Sequence, residues 1–174
     1  MDQPILNSKK LILRPFSLTD AADVEQLAGD PQVSQTTLSI PYPYTLAMAE
    51  EWIGTHADLY RQRSAVIFAI VEKDTQALIG TVALVSINGC EADLGYWIGQ
   101  PYWARGHCTE AVKLLMEFAV LKLGITCLYA EHLQTNPASG KVMIKNAMSY
   151  SGSIKKKNRE GVMTVLETYQ RKFG

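Results

Sequence analysis

Residues 100–111, QPYWARGHCTEA, join an alternating apolar run to one with helical periodicity, and they carry one glycine and one arginine. The start of a helix leaves four backbone N–H groups without internal partners and holds the positive end of the macrodipole. Both features favour an anion there, phosphate above all. A second helix start follows in NPASGKVMIKNAM, with Asn136 at the N-cap and Pro137 at the first helical position. Ser139 lies in its first turn, where a hydroxyl either caps the helix or points at a ligand. Other reactive patterns are missing. GxxxxGK[ST] does not occur, the single glycine at 106 cannot make G-x-G-x-x-G, and no serine sits in G-x-S-x-G. Cys90, Cys108 and Cys127 have no metal-ligand spacing and His56, His107 and His132 form no H-x-x-H pair, so no metal site is expected. Cys108 could carry an acyl group only with a partner to activate it, and none is evident.

These residues need a scaffold, and the hydrophobic pattern describes one. Leu6 to Phe16 reads as a strand in which Leu11 and Leu13 alternate with Ile12 and Arg14. Ser17 or Thr19 opens a helix that ends near Gly29, and residues 31–44 read as irregular. Thr45 caps a helix to about Gln62, with Ala49, Trp52, Ile53, His56 and Leu59 near one face. SAVIFAIVEK and ALIGTVALVSI form a hairpin around Asp74-Thr75-Gln76. Asn88-Gly89 marks the next tight turn, into the alternating run CEADLGYWIG. The helix after residues 100–111 carries Ala111, Leu114, Leu115, Phe118 and Leu121 at helical spacing and stops at Gly124. ITCLYAEHL is a strand, a helix follows from Pro137, and the chain closes with a hairpin pivoting on Asn158 to Gly161. No linker or repeat interrupts the order, so residues 1–174 read as one mixed α/β domain. In such sheets ligands favour the crevice beyond the carboxyl ends of the strands, where both helix starts lie.

Bulk composition narrows the partners. Hydrophobic residues make up 47% and charged residues 20%, a globular mixture in a chain of 174 residues. Seventeen basic residues balance 17 acidic ones, so no global field recruits nucleic acid or an anionic membrane. The KKKNR run at 155–159 reads as a solvated hairpin tip. No apolar run approaches a signal peptide or a membrane span, and the odd cysteine set suits a reducing compartment. A cytoplasmic protein is expected.

GYWIGQPYWARGHCTEAV resembles the acyl-coenzyme A motif of the GNAT superfamily of N-acetyltransferases, most of all its RimJ/RimL-type branch, which acetylates protein N-termini. KKLILRPFSLTDAADV and PYPYTLAMAEEWI resemble that branch's first strand and first two helices, and NPASGKVMIKNAM its later N-x-x-S helix. The resemblance covers essentially the whole chain in order. It implies a mixed, mostly antiparallel sheet of seven strands flanked by about four helices and splayed between the fourth and fifth strands. It also implies acetyl-CoA as cosubstrate, no metal, and an amine acceptor.

The superfamily's pyrophosphate loop, Q/R-x-x-G-x-G/A, falls on Trp103, Ala104, Arg105, Gly106, His107 and Cys108, and keeps only Gly106. Backbone N–H groups, continuing through Thr109, are expected to hold the phosphates. Each charged hydrogen bond contributes roughly 1.5–3 kcal/mol, so the side chains can vary. The pantetheine arm is expected along Trp97, Ile98 and Gly99, with Asn136 and Ser139 at the second helix start. Related enzymes often place a general-acid tyrosine where this chain has Met143; the RimJ/RimL-type branch offers Ser139 instead, aimed at the leaving sulfur. The usual Gly-Phe pair is Ala147-Met148. The implied chemistry is direct attack of a neutral amine on the thioester, with a backbone N–H near Trp97 or Ile98 serving the oxyanion. Asp93 and Glu91 are the candidates for the base. The leading expectation is an N-terminal protein acetyltransferase. A small-amine acetyltransferase (polyamine, amino acid or antibiotic) and a non-catalytic acyl-CoA sensor are the alternatives, with a homodimer left open.

Overall fold

The computed structural model describes residues 2–174. Eight strands form one sheet in the order β1-β2-β3-β4-β5-β6-β8-β7: β1 Leu6–Asn7, β2 Leu11–Arg14, β3 Val66–Glu72, β4 Leu78–Asn88, β5 Glu91–Ile98, β6 Cys127–Leu133, β7 Ser149–Lys157 and β8 Met163–Lys172. Every pairing is antiparallel except β5 with β6. The helices are α1 Ala21–Ala28, α2 Pro31–Ser34, α3 Leu46–Arg61, α4 His107–Leu123 and α5 Pro137–Lys145.

Two elements differ from the pattern reading. The single strand expected over residues 6–16 is a tight hairpin, because Ser8 folds back and its hydroxyl oxygen accepts the Leu11 N–H. That turn is tied down from outside: Ser8 donates to the Glu110 carboxylate, and the Lys73 ammonium donates to the Ser8 carbonyl. The second difference lies within residues 31–44, where α2 forms because the Asp30 carboxylate accepts the Gln32 N–H and Pro31 occupies the first helical position. Hence the sheet has eight strands rather than seven, and the helices number five rather than about four.

Of the remaining starts, α1 takes Asp20 rather than Ser17 or Thr19 at its N-cap, because a 3-10 turn over Leu18–Asp20 comes first, while Thr45 caps α3 as expected. The Ser17 N–H donates to Asp20, whose carboxylate also accepts a two-pronged bond from Arg14 at 2.8 Å. Thr45 Oγ1 accepts the Met48 N–H at the head of α3. Ala111, Val112, Leu115 and Phe118 of α4 pack with Phe68 and Ile70 on one face of the sheet. Val24 and Ala28 of α1 pack with Ala49 and Ile53 of α3 on the other.

The sheet parts in the middle. Val85 is an extra residue in β4, lying between the pairs Leu84↔Leu94 and Ser86↔Asp93. Such a bulge bends its strand and raises the local twist. On the far side of β5, the parallel ladder with β6 runs only from Glu91↔Cys127 to Leu94↔Ala130. Beyond those four pairs β5 continues to Ile98 and β6 to Leu133 without pairing with each other. The expected splay lies there.

Candidate active site

Backbone polar groups along a strand alternate between its two edges. The Gly99 N–H donates to the Ile79 carbonyl of β4 at 2.8 Å, so Trp97 and Gly95 also face β4. Tyr96 and Ile98 therefore turn their N–H and C=O groups into the gap toward β6. Of the two positions expected to offer an oxyanion donor, Trp97 is committed to β4 and Ile98 opens into the splay. The Ile98 carbonyl accepts the Trp103 indole N–H at 2.7 Å, which draws the loop at 103 over the end of the gap.

That loop leads into α4 with its donors free. Among the described residues, the N–H groups of Ala104, Arg105, Gly106, His107, Cys108 and Thr109 meet no acceptor; the next bond is Glu110 N–H to the Gly106 carbonyl at 3.2 Å. Ala104 and Gly106 adopt left-handed backbone at φ 59° and 80°. A Cβ on Gly106 would meet nothing within 4 Å, so it is the backbone angle, not crowding, that calls for glycine. The His107 ring is buried, with Nε2 3.3 Å from the Glu72 carboxylate, so this residue offers the loop only its N–H. Arg105 lies over the Tyr102 ring at 5.6 Å. Lys141 and Lys145, one turn apart on α5, line the same cleft and were not picked out from the sequence.

At the second helix start, Asn136 does not cap with its side chain. Its carboxamide donates to the Thr36 carbonyl at 3.4 Å and ties α5 to the loop at 36–41. Ser139 is not the cap either. Its hydroxyl lies 2.9 Å from the Tyr96 phenol, which is also 2.9 Å from the Ser139 carbonyl. Met143, at the position of the family's tyrosine, is 1% exposed and belongs to the core. Tyr96 was missed by the motif reading, although strand alternation places it opposite Trp97, on the side of α4 and α5. Burial, with a smaller contribution from Cys108, pushes the Tyr96 phenol far above its usual range, so it stays protonated. Burial likewise pushes the Cys108 thiol well up, which argues against an acyl-carrying thiolate there.

The opposite face of the splay has a different chemistry. Asp93 is exposed, and burial of part of its carboxyl together with the charge of Glu131 raises its pKa, partly offset by Lys156. Lys156 is paired with Glu131 at 2.7 Å. Glu91, the other candidate base, sits two residues back and accepts from the Tyr129 hydroxyl at 3.2 Å. Two walls rise over this face, the loop at 36–41 and the β7–β8 hairpin, and the Arg159 guanidinium joins them by donating to the Ser39 carbonyl. The cleft running through the sheet from Arg105 to Asp93 has a volume of about 1740 Å³. Among the described residues no three His, Cys, Asp or Glu side chains gather as a metal site would require, and no helix is long and apolar enough to cross a membrane.

A sheet parted between two parallel strands, with a row of free N–H groups at the helix mouth beside it, has the form of an acyl-coenzyme A-dependent transferase. Residues 10–149 match the acetyltransferase (GNAT) domain, and the chain belongs to that family of acetyl-CoA-dependent N-acetyltransferases. The N-acetyltransferase p20 of Bacillus licheniformis is 30% identical over 148 residues, covering 83% of this chain and 81% of that one. Among solved structures, the microcin C7 self-immunity acetyltransferase MccE, in complex with acetyl-CoA and AMP, superposes with a TM-score of 0.85. The match is 17% identical and covers 95% of this chain and 94% of that one. The Salmonella typhimurium enzyme that modifies the N-terminal serine of ribosomal protein L7/L12 superposes with a TM-score of 0.87, at 18% identity, over 98% of this chain and all of the other. These likenesses establish the fold: a mixed, mostly antiparallel sheet with helices on both faces.

Proposed function

We propose that this enzyme acetylates the N-terminal α-amine of a protein or peptide, as the RimJ/RimL-type branch does. Acetyl-CoA supplies an activated thioester, and the chain's residues bind, orient and manage charge. The N–H groups of residues 104–109 hold the pyrophosphate, with Trp103 at the rim and Arg105 adding positive charge. Trp97 to Gly99 line the pantetheine arm, and the Ile98 N–H receives the negative charge that develops on the carbonyl oxygen. Ser139 Oγ–H donates to the sulfur as it leaves. Asp93 takes the amine's proton, directly or through water.

The observation that carries the acceptor choice is the weakness of the base. Asp93 is a solvent-exposed carboxylate, Glu131 is tied to Lys156, and none of the described histidines shares their face of the sheet: His132 lines the cleft from the α5 side with Nδ1 at the Leu133 carbonyl, His107 faces Glu72, and His56 is buried behind Trp52. A peptide α-amine has a pKa of about 7.7–8.0, against about 10.4 for a lysine side chain. At neutral pH roughly a tenth of the α-amine is already free, against well under a thousandth of the lysine. A weak base suffices for the first and serves the second poorly. The Salmonella typhimurium neighbour, which modifies an N-terminal serine, supports the same reading. The MccE neighbour, a microcin self-immunity enzyme of similar structural likeness, supports a small-amine acceptor as the second reading.

A thiol-release assay with acetyl-CoA, run against peptides beginning with Ala or Ser, internal-lysine peptides and a panel of small amines, decides between them. Turnover of the N-terminal peptides above the lysine peptides is expected. Turnover of polyamines or antibiotics with inert peptides would overturn the choice.

A further inference from the structure

We propose that Tyr96 is a positioning residue for Ser139, and that its phenol directs the serine proton toward the leaving sulfur. The inference rests on the role given to Ser139 above. The phenol oxygen lies 2.9 Å from both the Ser139 carbonyl and Ser139 Oγ, yet it has a single proton to give. Two arrangements follow. When the phenol donates to the carbonyl, Ser139 Oγ–H donates back to the phenol oxygen, and the serine proton turns away from the cleft. When the phenol donates to Oγ, that oxygen is occupied as an acceptor and its own proton is free to point into the cleft that Ser139 lines.

Charge decides between them. As the C–S bond breaks, its electron pair goes to sulfur, and the second arrangement sets two O–H dipoles head to tail toward that charge. Such chains strengthen one another in a site shielded from water. A phenol is also a better donor than an aliphatic hydroxyl, so it is suited to the outer place in the chain. No proton leaves Tyr96 or Ser139 at any step. The amine's proton goes to Asp93 or solvent, and the sulfur departs hydrogen-bonded. With Met143 in the core, the hydroxyl that backs the serine comes from β5 rather than from α5.

The test is a double-mutant cycle on the full-length enzyme with a verified acceptor. Tyr96→Phe keeps the ring and removes only the hydroxyl. It should lower kcat about tenfold, one hydrogen bond's worth, with KM for acetyl-CoA within about twofold. In a Ser139→Ala background the same change should cost nothing further, whereas Ser139→Thr, which keeps a hydroxyl, should preserve the Tyr96 dependence. Equal Tyr96→Phe losses with and without the serine hydroxyl would overturn the proposal, as would a loss appearing in KM rather than kcat. A silent Ser139→Ala would instead overturn the role of Ser139 itself, and the Tyr96 proposal with it.

Discussion

His56 makes a stability prediction whose size follows from its surroundings. It sits on α3 at 6% exposure, with its ring 4.4 Å from Trp52 and 5.4 Å from Phe16, and neither ring nitrogen has a hydrogen-bond partner. Burial pushes its pKa down from 6.5 to about 4. Between those values the unfolded chain takes up a proton that the folded chain refuses, so stability is full above the unfolded pKa and is lost as pH falls through this window. At pH 5 the unfolded imidazole is 1.5 units below its ordinary pKa, which at about 1.36 kcal/mol per unit amounts to a loss of about 2 kcal/mol relative to pH 7. The folded value contributes little at that pH, because any pKa well below 5 leaves the folded ring neutral. Urea unfolding of the wild type and of His56→Phe at pH 7 and pH 5 isolates the effect, since the remaining titrating groups are common to both. The variant should gain on the wild type by about 2 kcal/mol on acidification. A change under about 0.5 kcal/mol would refute the argument, and would mean that the buried ring reaches a partner or solvent when protonated.

Three further outcomes are expected. Gly106→Val forces a β-branched residue into φ 80° and should misdirect the N–H groups at the head of α4, raising the acetyl-CoA dissociation constant at least about tenfold by calorimetry. Ala104→Gly relieves the left-handed backbone at φ 59° and should raise the unfolding free energy by about 0.5–1 kcal/mol, measured in urea; a decrease would mean that the loop does not hold this angle in solution. Asp93→Asn should reduce kcat/KM for a peptide acceptor about ten- to a hundredfold near neutral pH, with the deficit narrowing above pH 8 as free amine accumulates; a constant ratio across pH would leave Asp93 a solvated strand residue.

Much of the scaffold was legible because its signals are local. Asn88-Gly89 turns the chain into β5, Thr45 caps α3, and Gly124 ends α4 in left-handed backbone at φ 70°. The departures have causes both distant and local. Ser8 splits an apparent strand through contacts with Glu110, 102 residues away, which no pattern reveals. Ala147 occupies the left-handed position after α5, φ 57°, where a family glycine is usual, so the chain keeps the turn at some cost in strain. At the site, motif spacing points to the loop and Ser139, while Tyr96 escapes it because its partner comes from an element 43 residues away. The six free N–H groups were implied by the helix start, but their number depends on a loop geometry that side-chain identities do not encode.

The short ladder between β5 and β6 also has a mechanical meaning. Within the sheet, only four residue pairs join a five-stranded block, β1 to β5, to a three-stranded one made of β6, β8 and β7. Cooperative units in proteins divide where contacts are sparse, and whatever binds across such a seam stabilises both sides at once. A pantetheine arm lying in the gap would act as a missing rung, lending the backbone of β5 and β6 the partners they do not give each other. Amide exchange across β8 and β7, beyond β6, would then report cofactor occupancy at a distance from the arm itself. The gap proposed to admit the thioester is thus also where the backbone pairing between the sheet's two blocks gives out.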